Sequence, residues 1–220
     1  MDYKDAILFD KRTFCEYYCS LLKVKHPLIF CFCPIKDYNS MIIKICISML
    51  SFGIYYTVNF MFFTEETIHK IYLNEGKYDF TYFIPKISMS FSISHLIYTI
   101  IKYIFLSERN LIQIRHQLSV NKAQEVSVAV KRNLVIKYVI FYISGIIFLS
   151  FFWMLLSSFG AVYQNTQVVI FENTLICLGI ALIYPFFINI IPCIFRIPSL
   201  NSESKDQECI YNFSQLLQIL

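Results

Sequence analysis

Charge is what this sequence has least of. Only 15% of its 220 residues are Asp, Glu, Lys or Arg, while 57% are hydrophobic; soluble domains carry about 25% charged residues. Between Lys137 and Glu172 there is no charged side chain at all. This deficit favours a membrane protein and leaves no stretch for a large water-soluble domain. A basic stripe of the kind that holds nucleic acid is missing, so nucleic acid is not an expected partner. Catalytic signatures are missing too: there is no Gly-rich phosphate loop, no HExxH, no G-x-S-x-G elbow and no multi-histidine box. Nor does the N-terminus show a basic start leading into an apolar run. Residues 1–36 mix Asp2, Asp5, Asp10 and Glu16 with Lys4, Lys11 and Arg12, so no cleavable signal is expected and the first span serves as an uncleaved anchor.

Metal and disulfide chemistry are poorly supported. Eight cysteines are present, at positions 15, 19, 31, 33, 46, 177, 193 and 209. On the topology argued below none lies in an external loop, which argues against a disulfide framework. The spacings Cys15/Cys19 and Cys31/Cys33 suit zinc badly, and His26, His69, His95 and His116 form no cluster; no metal or cofactor is expected. Cys31 and Cys33, beside the bilayer, are candidate S-palmitoylation sites, with inert buried thiols as the plainer alternative. Asn212-Phe213-Ser214 matches a glycosylation pattern but falls in the expected cytosolic tail.

What the chain does have is long apolar runs. About 20 apolar residues in a helix cross the hydrocarbon core of a bilayer, and four stretches qualify: 41–63, 87–106, 138–159 and 168–195. The expected fold is therefore all-α: an integral membrane protein with four transmembrane helices (41–195), an N-terminal segment (1–40) carrying an interfacial amphipathic helix, and a tail (196–220). Within 12–24, Phe14, Tyr17, Tyr18, Leu21 and Leu22 share a face at helical spacing. That segment either packs on the protein or lies in the interface. Pro27 ends it, and 28–33 is too short to span. Asp37-Tyr38-Asn39-Ser40 reads as an N-cap, 65–72 as a short surface helix, and 64–85 as the loop around it. Lys44, one turn inside the first span, is expected to snorkel to the headgroups. Ser88/Ser92 and Ser90/Ser94 are small-xxx-small pairs that let another helix approach. The connection 107–132 is polar, next to the membrane and poor in helix breakers. The fourth span holds Pro185 and Pro192, which predict a kink, with Asn189 placed to satisfy a freed carbonyl.

Orientation follows from lysines and arginines near span ends. Lys70 and Lys77 follow the first span, with Lys86 at the next boundary; Arg109, Arg115, Lys122, Lys131 and Arg132, then Lys137, follow the second; the turn after the third has none. The positive-inside rule puts both termini and the 107–136 connection in the cytosol. Three polar residues in or near spans are candidate intramembrane sites. His95 is mid-span, where an ionisable group is a functional hypothesis and a neutral ring bonded to serine the ordinary outcome. Glu172 is a carboxylate near a helix start, favourable to the dipole. Asn189 is the third.

Several short strings recur together: Tyr3-Lys4-Asp5-Ala6, Asp10-Lys11-Arg12-Thr13-Phe14, Glu16-Tyr17-Tyr18, Leu21-Leu22-Lys23, Lys25-His26, Asp37-Tyr38-Asn39-Ser40 and His69-Lys70-Ile71-Tyr72, then the stretch from Phe152-Trp153-Met154 to Gly160-Ala161-Val162, and Tyr184-Pro185-Phe186-Phe187. In these the chain resembles a family of uncharacterised multi-pass membrane proteins of protists, of the ciliate type, across nearly its whole length. The resemblance implies the span count and a short member or a fragment, similar to the membrane-embedded C-terminal portion of longer proteins; it brings no activity. The expected role is a membrane anchor or interaction module whose partners are the lipid bilayer and other transmembrane helices, including its own copies. A channel or transporter subunit, using Lys44, His95, Lys102, Glu172 and Asn189, is the alternative. A membrane-embedded enzyme comes last.

Overall fold

A computed structural model describes residues 3–33, 39–77, 79–107, 111, 112, 114, 119–163, 166–200 and 205–219. The fold is all-α: helix makes up 89% of it, and no strand occurs among the described residues. Four helices are long and apolar enough to cross a membrane. The chain divides into two compact units, residues 36–180 and residues 1–35 with 181–220.

The larger unit begins with α4 (Met41–Met61), counting α1 to α3 in the smaller one. Its Ile43 and Ile47 form a core with Tyr98 of α6 (Phe80–Phe105) and Phe141 of α7 (Val120–Val162). Lys44 lies on the same stripe and is itself buried. The lysine expected to snorkel is thus a buried side chain, 4% exposed. Ser40 flanks α4 without a side-chain cap bond, while Asn39 Oδ1 accepts from the Ser107 N–H at 2.9 Å. Asp37 and Tyr38 of the expected cap lie outside the described residues, as do Arg109, Arg115 and His116 of the long connection. Of the serine pairs on α6, Ser90 and Ser94 are buried and Ser88 and Ser92 exposed. α6 also packs along α4.

Helix starts fall earlier than hydropathy suggested, because caps set them. Asp79 accepts from the Tyr82 N–H and starts α6 seven residues before the apolar run. Pro85, expected to close the loop, is therefore inside the helix, near its start, where only the Thr81 carbonyl loses its partner. Ser119 caps α7, whose 43 residues include half of the polar connection and the whole third span. Between these, α5 (Glu65–Leu73) is capped by Thr64, and the chain leaves it through Glu75 and Gly76 at positive φ (53° and 76°), a conformation glycine adopts freely. The expected span 168–195 is interrupted. α8 (Thr166–Ile188) stops, and α9 (Ile190–Ser199) starts after Asn189. Pro192 lacks the N–H that would serve the Ile188 carbonyl, and Asn189 Nδ2 donates to the Pro185 carbonyl at 2.7 Å.

In the smaller unit α1 (Tyr3–Phe9), which hydropathy did not predict, packs on α10 (Lys205–Ile219) through Tyr3, Ala6 and Tyr211. α2 (Phe14–Lys25) starts at a capping box, Thr13 with Glu16. Its Tyr17 and Leu21 pack with Cys193 of α9, so of the two readings of this segment its apolar face takes the packed one. Phe14, Cys15 and Val24 stay exposed. His26 ends α2 and caps α3 (Pro27–Phe32), its Nδ1 accepting from the Ile29 N–H.

Glycine enables one close approach. A Cβ at Gly53 of α4 would stand 3.1 Å from the Phe148 ring of α7. Gly53→Val should force α7 outward and lower the melting temperature in detergent by several degrees, since overpacking costs about 1–3 kcal/mol. Gly145→Ala has no atom within 4 Å to meet, and should hold or raise it, because alanine favours helix by about 0.5–1 kcal/mol. Equal melting for the Gly53 variant and the wild type would show that the α4–α7 contact carries no stability.

Candidate functional site

The three intramembrane candidates stand in three different settings. His95 is half-buried on α6, its ring stacked on Phe91 at 5.7 Å and tilted against Tyr98 at 6.5 Å. Glu172 is exposed on α8. Asn189 is fully buried in the smaller unit, engaged with the Pro185 carbonyl at the helix break. Among the described residues, surface cavities of about 200, 330 and 450 Å³ occur. None of these is lined by Lys44, His95, Lys102, Glu172 or Asn189. The first is an apolar groove between α4 and α7, floored by Leu50, Phe141 and Gly145. Of the two candidate acylation sites, Cys31 is buried and Cys33 exposed at the end of α3. No group of three or more His, Cys, Asp or Glu side chains able to hold a metal occurs among the described residues.

Two polar clusters were not anticipated. The first lies within the larger unit and joins three helices. Asn59 of α4 donates to Thr174 Oγ1 of α8 at 3.4 Å, and the Thr174 hydroxyl donates in turn to the Ile170 carbonyl at 2.8 Å. The Cys177 thiol is 3.7 Å from both Asn59 Oδ1 and the Ile87 carbonyl of α6, and can donate to either. All three side chains are fully buried. Interhelical polar bonds of this kind contribute about 0.6–2 kcal/mol each. The cluster holds no ionised group, so it fastens helices and moves no proton.

The second is the most strongly charged arrangement of the smaller unit. Asp10, in the turn between α1 and α2, meets two guanidinium groups. Arg12 grips it as a fork, Nε to Oδ1 and Nη2 to Oδ2, both at 2.7 Å. Arg196 of α9 reaches Oδ2 through Nη2 at 2.6 Å and Nε at 3.2 Å. Arg196 lies between two aromatic faces, 4.7 Å from the Tyr17 ring centroid and 4.8 Å from that of Tyr211. The Asp10 and Arg196 side chains are each only 4% exposed, whereas Arg12 is 45% exposed. Close by, the Tyr3 hydroxyl donates to the Ser199 carbonyl at 3.0 Å. The hydrogen bonds from Arg12, opposed by burial and reinforced by Arg196, hold the Asp10 carboxyl well below the usual carboxylate range. A carboxylate so occupied cannot serve as a general base. It clamps α9 to the N-terminal segment. Nothing in the sequence pairs residues 186 apart; the one local signal was the Thr13/Glu16 capping box, which fixes where α2 begins and hence where Asp10 and Arg12 stand.

Removing the carboxylate leaves a buried guanidinium without its partner. Asp10→Asn should therefore cost about 3 kcal/mol. The pH dependence has a definite sign. Because the folded pKa is depressed, the contribution is complete above the unfolded value of about 3.9 and is lost as pH falls below it. Thermal unfolding in detergent should show a constant gap between wild type and Asp10→Asn from neutral pH down to about pH 5, narrowing only below about pH 4. A gap that is absent at neutral pH would remove the clamp. Compared with known proteins, the chain matches no family model, no curated protein and no solved structure.

Proposed function

We propose that this chain is a multi-pass membrane protein acting as a membrane anchor or interaction module, threaded with both termini in the cytosol. The carrying observation is the bareness of α7. In its most apolar stretch only 11% is buried, against 56% for α4. Val139, Ile143, Ile146, Ile147, Trp153 and Met154 all stand exposed. A continuous apolar face of this extent is not stable in water; lipid tails or other membrane helices cover it. The cationic residues support the threading, since Lys122, Lys131 and Arg132 all sit on the extension of α7 that precedes the apolar run. His95 stacks on Phe91, Glu172 is exposed and Asn189 bonds the Pro185 carbonyl, engagements that favour anchoring over a transport path.

Two measurements test this. The chain should stay with membranes through alkaline carbonate extraction. A cysteine introduced at Glu75 should react with a membrane-impermeant maleimide on intact cells, while one at Lys122 should react only after permeabilisation. The exposed native thiols Cys15, Cys19, Cys33 and Cys209 lie on the cytosolic side in this threading and should stay silent in intact cells. Labelling at Lys122 from outside would invert the topology; release by carbonate would end the membrane reading.

A further inference from the structure

The elbow between α2 and α3 carries two lysines and almost nothing to neutralise them. From Tyr17 to Cys33 the only charged residues are Lys23 and Lys25. Glu16 is committed to its capping box with Thr13, and Asp10 to its two arginines. Lys23 is exposed and Lys25 half-buried, and neither forms an ion pair among the described residues. Burial pushes the Lys25 ammonium below its usual pKa, the signature of a cation partly stripped of water with no anion supplied. Around the two lysines Val24, Leu28 and Phe32 are exposed at 55%, 42% and 51%. This is the mixed surface of an element lying at a bilayer interface, with apolar side chains reaching down and ammonium groups staying at headgroup level.

The elbow packs against the last turn of α8. The His26 ring meets Phe186 of α8 edge-on at 4.7 Å, and the Tyr18 hydroxyl donates to the Phe186 carbonyl at 2.9 Å. Phe186 lies on the last turn of α8, and an apolar helix that crosses a bilayer ends near the headgroups. On the membrane reading the elbow is thus at headgroup level.

Resting on the membrane reading above, we propose that Lys23 and Lys25 form a site for the headgroup of an anionic phospholipid in the cytosolic leaflet, with Val24, Leu28 and Phe32 seated among its acyl chains. The apolar neighbours commit the site to lipid over free phosphate. Each lysine near an anionic surface contributes about 1 kcal/mol, so each one removed should weaken the preference for anionic lipid about fivefold.

The full chain, reconstituted in nanodiscs of phosphatidylcholine with or without phosphatidylserine, provides the test by native mass spectrometry of retained lipid. Wild type should retain phosphatidylserine in preference to phosphatidylcholine. Lys23→Gln with Lys25→Gln should lose that preference by about thirtyfold, with an unchanged melting temperature in pure phosphatidylcholine showing that it folds. Lys25→Arg should keep the preference, and Lys70→Gln, on α5, should not alter it. A double variant that still selects phosphatidylserine would overturn the site, and displacement of the lipid by excess inorganic phosphate would overturn its commitment to lipid. A chain that stays in the membrane but does not discriminate sinks this site alone, whereas a chain stripped by carbonate sinks the membrane reading beneath it.

Discussion

A bilayer interior offers no hydrogen-bond partners, so every backbone N–H and C=O inside it must be satisfied by the chain itself. That constraint explains more of this structure than any single contact. It makes each span a helix, and it extends to side chains. Ser92 bonds the Ser88 carbonyl, Thr99 that of His95, Ser144 that of Phe141, Ser150 that of Ile146 and Ser157 that of Met154. Each hydroxyl is satisfied within its own helix, so it can face lipid without an interhelical partner. The alternating serines of α6 then divide by position. Ser90 and Ser94 are fully buried and their hydroxyls find no partner among the described residues, whereas Ser88 and Ser92 are exposed.

How much of this was legible in the sequence varies with the range of the interaction. Hydropathy over some twenty residues located all four apolar helices, because lipid selects on average composition and 41–63 differs from α4 by only two residues. Caps act over three residues, and they moved the starts of α6 and α7 well outside the apolar runs. Asp79 and Ser119 were visible, but polar residues ahead of an apolar stretch read as loop unless the cap is weighed. Lys44 shows a different limit. Its neighbours Ile43 and Ile47 signal a buried stripe, yet a lysine near a span end is ordinarily read as an anchor. The pairings Asp10–Arg196 and Asn59–Thr174 join residues 186 and 115 apart, and no local pattern announces either.

Burial is distributed unevenly within the larger unit, and this bears on function. α4 is the inner helix, touching both α6 and α7, and it carries Gly53, Asn59 and half of the shared core. α7 lies outermost and spends little of its surface on its own chain. A helix that contributes so little to holding its unit together has surface available for neighbours, and the apolar groove beside Gly145 gives that surface relief. An anchor needs apolar length, whereas an interaction module also needs shape; α7 has both.

The break at Asn189 connects the remaining parts. A helix running unbroken from Thr166 to Ser199 would span about 50 Å, well beyond the hydrocarbon core, and would carry Arg196 along the same line. Opening the ladder in hydrocarbon would leave a carbonyl unsatisfied at a cost of several kcal/mol. Asn189 Nδ2 adds a second bond to the Pro185 carbonyl, which the Asn189 backbone N–H already reaches, and so fastens the end of α8. Just beyond the break α9 begins, and its Arg196 meets Asp10 and the Tyr17 and Tyr211 faces. A buried ion pair is tolerable there because its three partners converge on it. The same pair deep in lipid would have to bear the desolvation of both charges. The prolines, the asparagine and the clamp thus act within a few residues of one another, ending α8 and binding α9 to the N-terminal segment.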